Sequence, residues 1–160
     1  MKGLDWKGIA LGFVVSFLLA VLSGVVLGVF VAVVEMGQSA SLDNFDKASE
    51  KVLDSPLYLG LSLPSDSLIT SLGAYIAAGR SSSQKVALQN AIAFAILTLV
   101  LWLTFEIAVP QSYPLWYSVA SYALVLPSAY FGAMMRVRRN LKTNRVLNSS
   151  APPIAPIPLP

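Results

Sequence analysis

The sequence contains no cysteine and no histidine. Without cysteine, the chain forms no disulfide and offers no thiolate as a nucleophile or metal ligand. Without histidine, it lacks the commonest zinc ligand, the usual haem ligand and the usual general base. Charged residues are also scarce, at 12% of the chain against 56% apolar residues. This composition argues against a soluble domain and against most metal-dependent or base-dependent enzymes.

What the sequence does contain is four long apolar stretches. Residues 8–34 give 27 consecutive positions without a charge, residues 57–79 contain one acid, and residues 86–105 and 113–135 contain no charge. Each stretch is close to the ~20 residues that a helix needs to cross a bilayer. We therefore predict an all-α, four-span membrane bundle over residues 1–139 and a tail over residues 140–160. The first stretch exceeds the 7–15 residues of a signal-peptide core, so we expect it to be retained.

Lysine and arginine lie mostly on one side of these spans. Nine of the eleven are in the N-terminal segment, the second loop and the tail, and two are in the first loop. The positive-inside rule then places both termini and the second loop in the cytoplasm. Aromatic residues that favour an interface are expected at the outer surface. They are Tyr58, Trp102, Phe105, Tyr113, Trp116 and Tyr117.

Small residues recur at every fourth position of the first stretch. Residues four apart lie on nearly the same face of a helix, so the series forms one stripe. It consists of Gly8, Gly12, Ser16, Ala20, Gly24, Gly28 and Ala32. Such a stripe lets a second helix approach closely, and close contact replaces the hydrophobic drive that helices lack in lipid. We predict packing against another span of this chain, with the same stripe on a second copy as the alternative.

The charged residue within the predicted spans is Asp66, about ten residues inside the second one. A charge near a helix centre costs about 2.5–3.5 kcal/mol on insertion scales, and such residues usually face the bundle interior. Ser62 and Thr70 share its helical face, and Pro64 removes a backbone hydrogen bond beside it. With no basic residue in any span to neutralise it, we expect Asp66 to be protonated. This pattern predicts a proton or ion site at Asp66, Ser62 and Thr70.

Two other interpretations of Asp66 remain open. In one, its role is structural, through a cross-helix hydrogen bond to Gln89, Asn90, Ser118 or Ser121, although the depth of Gln89 and Asn90 disfavours them. In the other, the second span begins only after Asp66. Residues 68–79 are then too short to cross, so residues 57–66 would form a re-entrant segment.

The segments outside the spans indicate membrane contacts. From Ser41, the first loop shows helical spacing of apolar residues and predicts a short amphipathic helix on the outer surface. The basic residues Arg136, Arg138 and Arg139 follow the last span, a position that favours anionic lipid over nucleic acid. Five prolines in the last nine positions exclude a helix there and predict an extended, disordered tail.

Residues 73–80, with the sequence GAYIAAGR, resemble a segment found in uncharacterised small bacterial four-span membrane proteins. In those proteins a Gly-Ala-Tyr-x-Ala-Ala segment closes the second helix before a short basic turn. The resemblance extends over residues 57–136 at most, and its specific part is these eight residues. It implies a bacterial inner-membrane location and the same topology, but no activity.

The sequence favours a structural or interaction component that packs against itself or another membrane protein. The alternative is a small proton- or ion-coupled transporter or channel subunit that uses Asp66. We expect no enzyme, because no phosphate loop, nucleophile motif or metal-ligand spacing is present. We also expect no metal and no cofactor.

Overall fold

The computed structural model describes residues 4–36, 52, 54–79, 83–108 and 113–149. They form four α-helices: α1 (Trp6–Met36), α2 (Pro56–Ala77), α3 (Gln84–Ala108) and α4 (Leu115–Ser149). The fold class is therefore all-α, and each predicted span corresponds to one helix. α4 continues past residue 135 into the segment that we assigned to the tail. Apart from Val52, the predicted outer-loop helix and the proline-rich residues 151–160 lie outside the described residues.

Three helices begin with a side chain that accepts hydrogen bonds from the first turn. Asp5 Oδ1 accepts from the Gly8 amide at 3.1 Å at the start of α1. Ser55 Oγ accepts from the two amides that follow Pro56 at 3.2 and 3.4 Å. Ser83 Oγ accepts from an amide in the first turn of α3 at 3.3 Å. These caps satisfy amides that have no partner inside the helix, which is why the helices begin at these residues.

Each helix runs antiparallel to the one before it, and α2 lies at the centre of the bundle. α2 and α3 each pack against all the other helices, whereas α1 and α4 do not meet within the described ranges. At one end, which we call the basic end, the Asp5 amide donates to Asn90 Oδ1 at 3.2 Å and Arg136 donates to the Gly79 carbonyl at 3.1 Å. At the opposite end, which we call the acidic end, Ser55 donates to the Glu35 carboxylate.

Three helices, α1, α3 and α4, are long and apolar enough to cross a membrane. Their outward side chains are large and apolar: Leu18, Leu22 and Val25 on α1 are each about 60% exposed. Exposed apolar surface this extensive marks a membrane or protein contact. Together these features support a transmembrane protein.

α2 is more polar, because residues 62–71 include four serines, a threonine and Asp66. Its polar residues turn towards the other helices, and the exposed positions between residues 57 and 77 are all nonpolar. They are Leu57, Gly60, Leu61, Pro64, Leu68 and Leu72. With 22 residues, α2 is roughly 33 Å long, which matches a hydrocarbon core of about 30 Å. Its length and its surface are therefore compatible with lipid on one side and protein on the other.

Candidate functional site

Two close helix crossings hold α2 in the half of the bundle near the basic end. A Cβ atom added at Gly12 of α1 would overlap the carbonyl oxygen of Gly73 in α2. On the other side of α2, a Cβ atom at Gly132 of α4 would overlap the carbonyl of Ser71. The Ser71 hydroxyl also donates to the Ser128 carbonyl of α4 at 2.9 Å. Such close backbone approach is typical of small-residue packing between membrane helices.

The small-residue stripe of α1 divides into two parts. Gly8, Gly12 and Ser16 are buried and face α2, while the rest of the stripe is partly exposed. A Cβ atom at Gly24 would lie 3.9 Å from the Tyr58 hydroxyl, and one at Gly28 would have nothing within 4 Å. The first part therefore packs inside this chain. In the second part, Ala20 and Gly24 leave space beside α2, whereas Ala32 packs against a buried cluster that includes Val31 and Leu59.

That space is a cavity of about 350 Å³ between the four helices. It begins beside the close crossings, at Phe13 on α1 and Thr98 on α3. From there it extends towards the acidic end, where Glu106 and Tyr113 line it. It is partly open, and some lining side chains are themselves exposed: Phe17 by 40%, Trp102 by 46% and Phe105 by 50%. Its volume lies within the range of small-molecule sites.

Asp66 lines this cavity, together with Ser62 and Thr70. The structure thus brings the three predicted site residues to one surface. α2 is a continuous helix through Pro64 and Asp66, so the re-entrant interpretation is wrong. Within the described ranges, Asp66 forms no hydrogen bond and no ion pair. A carboxyl group that is partly buried and lacks a hydrogen-bond partner is energetically costly, which is unusual for a purely structural residue.

Two of the structural partners that we considered for Asp66 have other contacts. Asn90 is fully buried at the basic end, where its side-chain amide donates to the Ala77 carbonyl at 3.3 Å. Ser118 donates to Glu106 at 3.0 Å. Ser121 lies on the cavity wall. The hydrogen bond expected from a structural Asp66 is therefore not formed with Asn90 or Ser118.

A group of tyrosines lies at the acidic end of the cavity. The Tyr117 hydroxyl shares a hydrogen bond of 2.8 Å with Ser62, which connects α4 to α2. The ring of Tyr113 lies 5.2 Å from that of Tyr117, centroid to centroid. Tyr58 lines the same region.

Glu106 is the second carboxylate on the cavity wall. It lies near the end of α3 and accepts hydrogen bonds from Ser118 and from Tyr122, both on α4. Unlike Asp66, Glu106 therefore has two hydroxyl donors on a neighbouring helix. Glu35, near the end of α1, lies outside the cavity and accepts a hydrogen bond from Ser55.

The arginines predicted to contact lipid lie at the basic end. Arg136 donates to the Tyr75 hydroxyl at 3.2 Å and to the Gly79 carbonyl at 3.1 Å, and its guanidinium lies 5.0 Å from the centre of the Tyr75 ring. Arg139 also donates to the Tyr75 hydroxyl, at 2.9 Å. Two of the three arginines therefore join α4 to the end of α2, while the Arg138 side chain is exposed.

The sequence contained a signal for the α4 wall of the cavity that we had not used. Hydroxyl-bearing residues follow helical spacing along one side of α4, beginning just before it. They are Tyr113, Tyr117, Ser118, Ser121, Tyr122 and Ser128. We had assigned Tyr58, Tyr113 and Tyr117 to the membrane interface. Because an interface position and a cavity position both favour amphipathic rings, residue type alone did not separate the two.

The cavity offers carboxylates, hydroxyls and aromatic rings, but no lysine or arginine lines it among the described residues. In the same part of the chain, no three acidic side chains come together as a metal site. Such a surface can bind and release protons and can hold a positively charged or polar ligand. Comparison with protein-family models, with curated proteins and with solved structures found no match to this chain.

Proposed function

We propose that this chain is a small multi-pass protein of the bacterial inner membrane that acts as a proton- or ion-coupled transporter or channel subunit. In this proposal α2 crosses the membrane with the other three helices, and both termini are cytoplasmic. The observation that carries the proposal is Asp66, a carboxyl group without a partner on the wall of a cavity inside the bundle. Intramembrane acids in such positions commonly serve proton or ion pathways.

The position of Asp66 along α2 supports this assignment. Asp66 lies ten residues after Pro56, roughly 15 Å along a helix of roughly 33 Å, and so near the midplane of a spanning α2. Binding sites of many transporters lie at that depth. We do not propose an enzyme, because the sequence lacks a nucleophile motif and a phosphate-binding loop.

The decisive test is proton flux in proteoliposomes under an imposed proton gradient. We expect the wild type to exceed empty liposomes, and Asp66→Asn and Asp66→Leu both to fall to the empty-liposome level. Asp54→Asn is the matched control, because Asp54 is an exposed acid two residues before α2, and it should behave like the wild type. Wild-type flux equal to that of empty liposomes, across the gradients applied, would refute the proposal.

Thermal unfolding in detergent separates this proposal from a structural role for Asp66. Because Asp66 has no hydrogen-bond partner within the described ranges, Asp66→Leu should unfold at the same temperature as the wild type or higher. If Asp66 instead satisfied a donor on another helix, Asp66→Leu would lower the unfolding temperature and Asp66→Asn would not.

A second candidate function is the packing of this chain against a second copy or another membrane protein. The observation that favours it is the half of α1 near the acidic end, where a Cβ atom added at Gly28 would have nothing within 4 Å and α4 does not reach α1 within the described ranges. Crosslinking in the membrane should then give a dimer, and the pair Gly24→Leu and Gly28→Leu should abolish it, because leucines push apart helices that glycine lets touch. A monomer in both proteins would exclude self-association.

A further inference from the structure

The cavity has more polar and aromatic surface than a proton pathway alone requires. A proton or a single metal ion needs a few oxygen atoms, whereas about 350 Å³ of space is enough for an organic molecule. The wall is also mostly apolar away from Asp66 and Glu106, with Phe13, Ile69 and Leu101 among its members. The cavity therefore fits a ligand with an apolar body.

The charged residues on the cavity wall indicate whether that ligand is positively or negatively charged. Asp66 and Glu106 both line the cavity, and no lysine or arginine does so among the described residues. Asp66 forms no ion pair within the described ranges, so a bound cation would supply the positive charge that allows its carboxyl group to release a proton and ionise. An anion would meet carboxylates and no base. The wall thus favours a positive charge on the ligand.

The aromatic residues strengthen this selection. Four tyrosines, a tryptophan and a phenylalanine are among the residues that line the cavity: Tyr58, Tyr113, Tyr117, Tyr122, Trp102 and Phe105. The faces of such rings attract organic cations, and the effect grows when water is excluded. A diffuse cation carried on an apolar body matches both the rings and the carboxylates.

The open side of the cavity indicates the route by which such a ligand arrives. Three of the four exposed lining residues are Phe17 on α1 and Trp102 and Phe105 on α3, and the fourth is Leu124 on α4. α1 and α3 are joined at the basic end through Asp5 and Asn90. Both are apolar enough to cross a membrane, so a gap between them near the acidic end faces lipid rather than water.

We propose that the cavity binds a lipophilic organic cation, which enters from the bilayer between α1 and α3 and whose charge is held by Asp66. This inference rests on the proposed transport function and names the chemical class of its substrate. Glu106 contributes less to binding, because Ser118 and Tyr122 already donate to its carboxylate.

Binding of tetraphenylphosphonium to the full chain in lipid nanodiscs tests this inference. Tetraphenylborate has nearly the same shape and the opposite charge, and empty nanodiscs measure partition into lipid. We expect saturable binding of the cation above the empty-nanodisc level and none of the anion. Asp66→Asn should weaken cation binding by at least about tenfold, and Glu106→Gln by less.

A pair of glycine variants locates the site. Gly24→Leu places a side chain into the cavity wall and should abolish binding, whereas Gly28→Leu, which does not line the cavity, should bind as the wild type does. Thermal unfolding of both variants checks that they fold. Equal binding of the cation and the anion, or wild-type affinity in Asp66→Asn, would overturn the inference.

The two proposals fail in different ways. Proton flux that depends on Asp66, without binding of tetraphenylphosphonium, would refute the substrate class and leave proton coupling in place. Saturable cation binding that depends on Asp66, without proton flux, would refute coupling and support the cavity as a cation site.

Discussion

Two carboxylates of similar chemistry occupy different environments in one cavity. Glu106 accepts hydrogen bonds from two hydroxyls, whereas Asp66 accepts none within the described ranges. Glu106 thus has fixed hydrogen-bond donors, whereas Asp66 is available to bind and release a proton or a cation. A proton or a bound cation can exchange at Asp66 without breaking a structural hydrogen bond, and this difference is the basis of both proposals.

The same contrast holds for two glycines on α1, and it gives a stability prediction. Gly12→Ala should destabilise the protein by about 1–3 kcal/mol, because its new Cβ atom would overlap the backbone of α2 at Gly73. Gly28→Ala has open space around it and removes a glycine from a helix interior, so it should be neutral or stabilise by up to about 1 kcal/mol.

Thermal unfolding of the two alanine variants, in the same detergent, measures this difference. The two substitutions are chemically identical and lie on the same stripe of α1, so each serves as the control for the other. Equal unfolding temperatures would show that α1 and α2 do not approach at Gly12 as closely as the structure indicates.

At the scale of helices, the apolar stretches were sufficient to predict the number and approximate positions of the described elements. Helix ends were harder, because caps such as Asp5 and Ser55 depend on single hydrogen bonds. The end of α4 differed most. We ended that span at residue 135, since charge begins there, but the helix continues through the basic residues to Ser149. Charge limits where a helix can be buried in lipid, and it does not end the helix.

The stripe on α1 shows why helix partners are harder to predict than helices. Its regular spacing predicted close packing but did not say against which helix, or over what length. In the structure Gly8 and Gly12 are buried against α2, Ser16 is buried and also lines the cavity, and Ala20 and Gly24 line the cavity. Small residues therefore serve both to bring helices together and to leave room between them, and the spacing is the same in both cases.

At the scale of the whole molecule, the position of Asp66 was predictable and its surroundings were not. Sequence spacing placed Ser62, Asp66 and Thr70 on one face of α2, which is local geometry. Whether that face lies on the same cavity as Tyr117 and Glu106 depends on how α2, α3 and α4 pack. Residues far apart in the chain determine that packing. The cavity is therefore a property of the bundle rather than of any one helix.

The absence of cysteine makes the membrane arrangement directly testable with single-cysteine variants and a membrane-impermeant maleimide. Leu68, 71% exposed on the nonpolar face of α2, should face lipid, so Leu68→Cys should react only after the membrane is dissolved. Ser83→Cys, at the start of α3, should react in inverted vesicles and not in spheroplasts. Asn44→Cys, in the first loop, should show the reverse.

These three sites test separate parts of the arrangement. Labelling of Leu68→Cys in native membranes at the rate of Ser83→Cys would mean that α2 is in contact with water and does not cross the bilayer. Labelling of Ser83→Cys from the outside would reverse the orientation that the lysines and arginines predict. Labelling of Leu68→Cys in native membranes would also count against the binding of a lipophilic cation. Asp66 is on α2, so the gap between α1 and α3 would then open beside a helix that lies in water rather than in lipid.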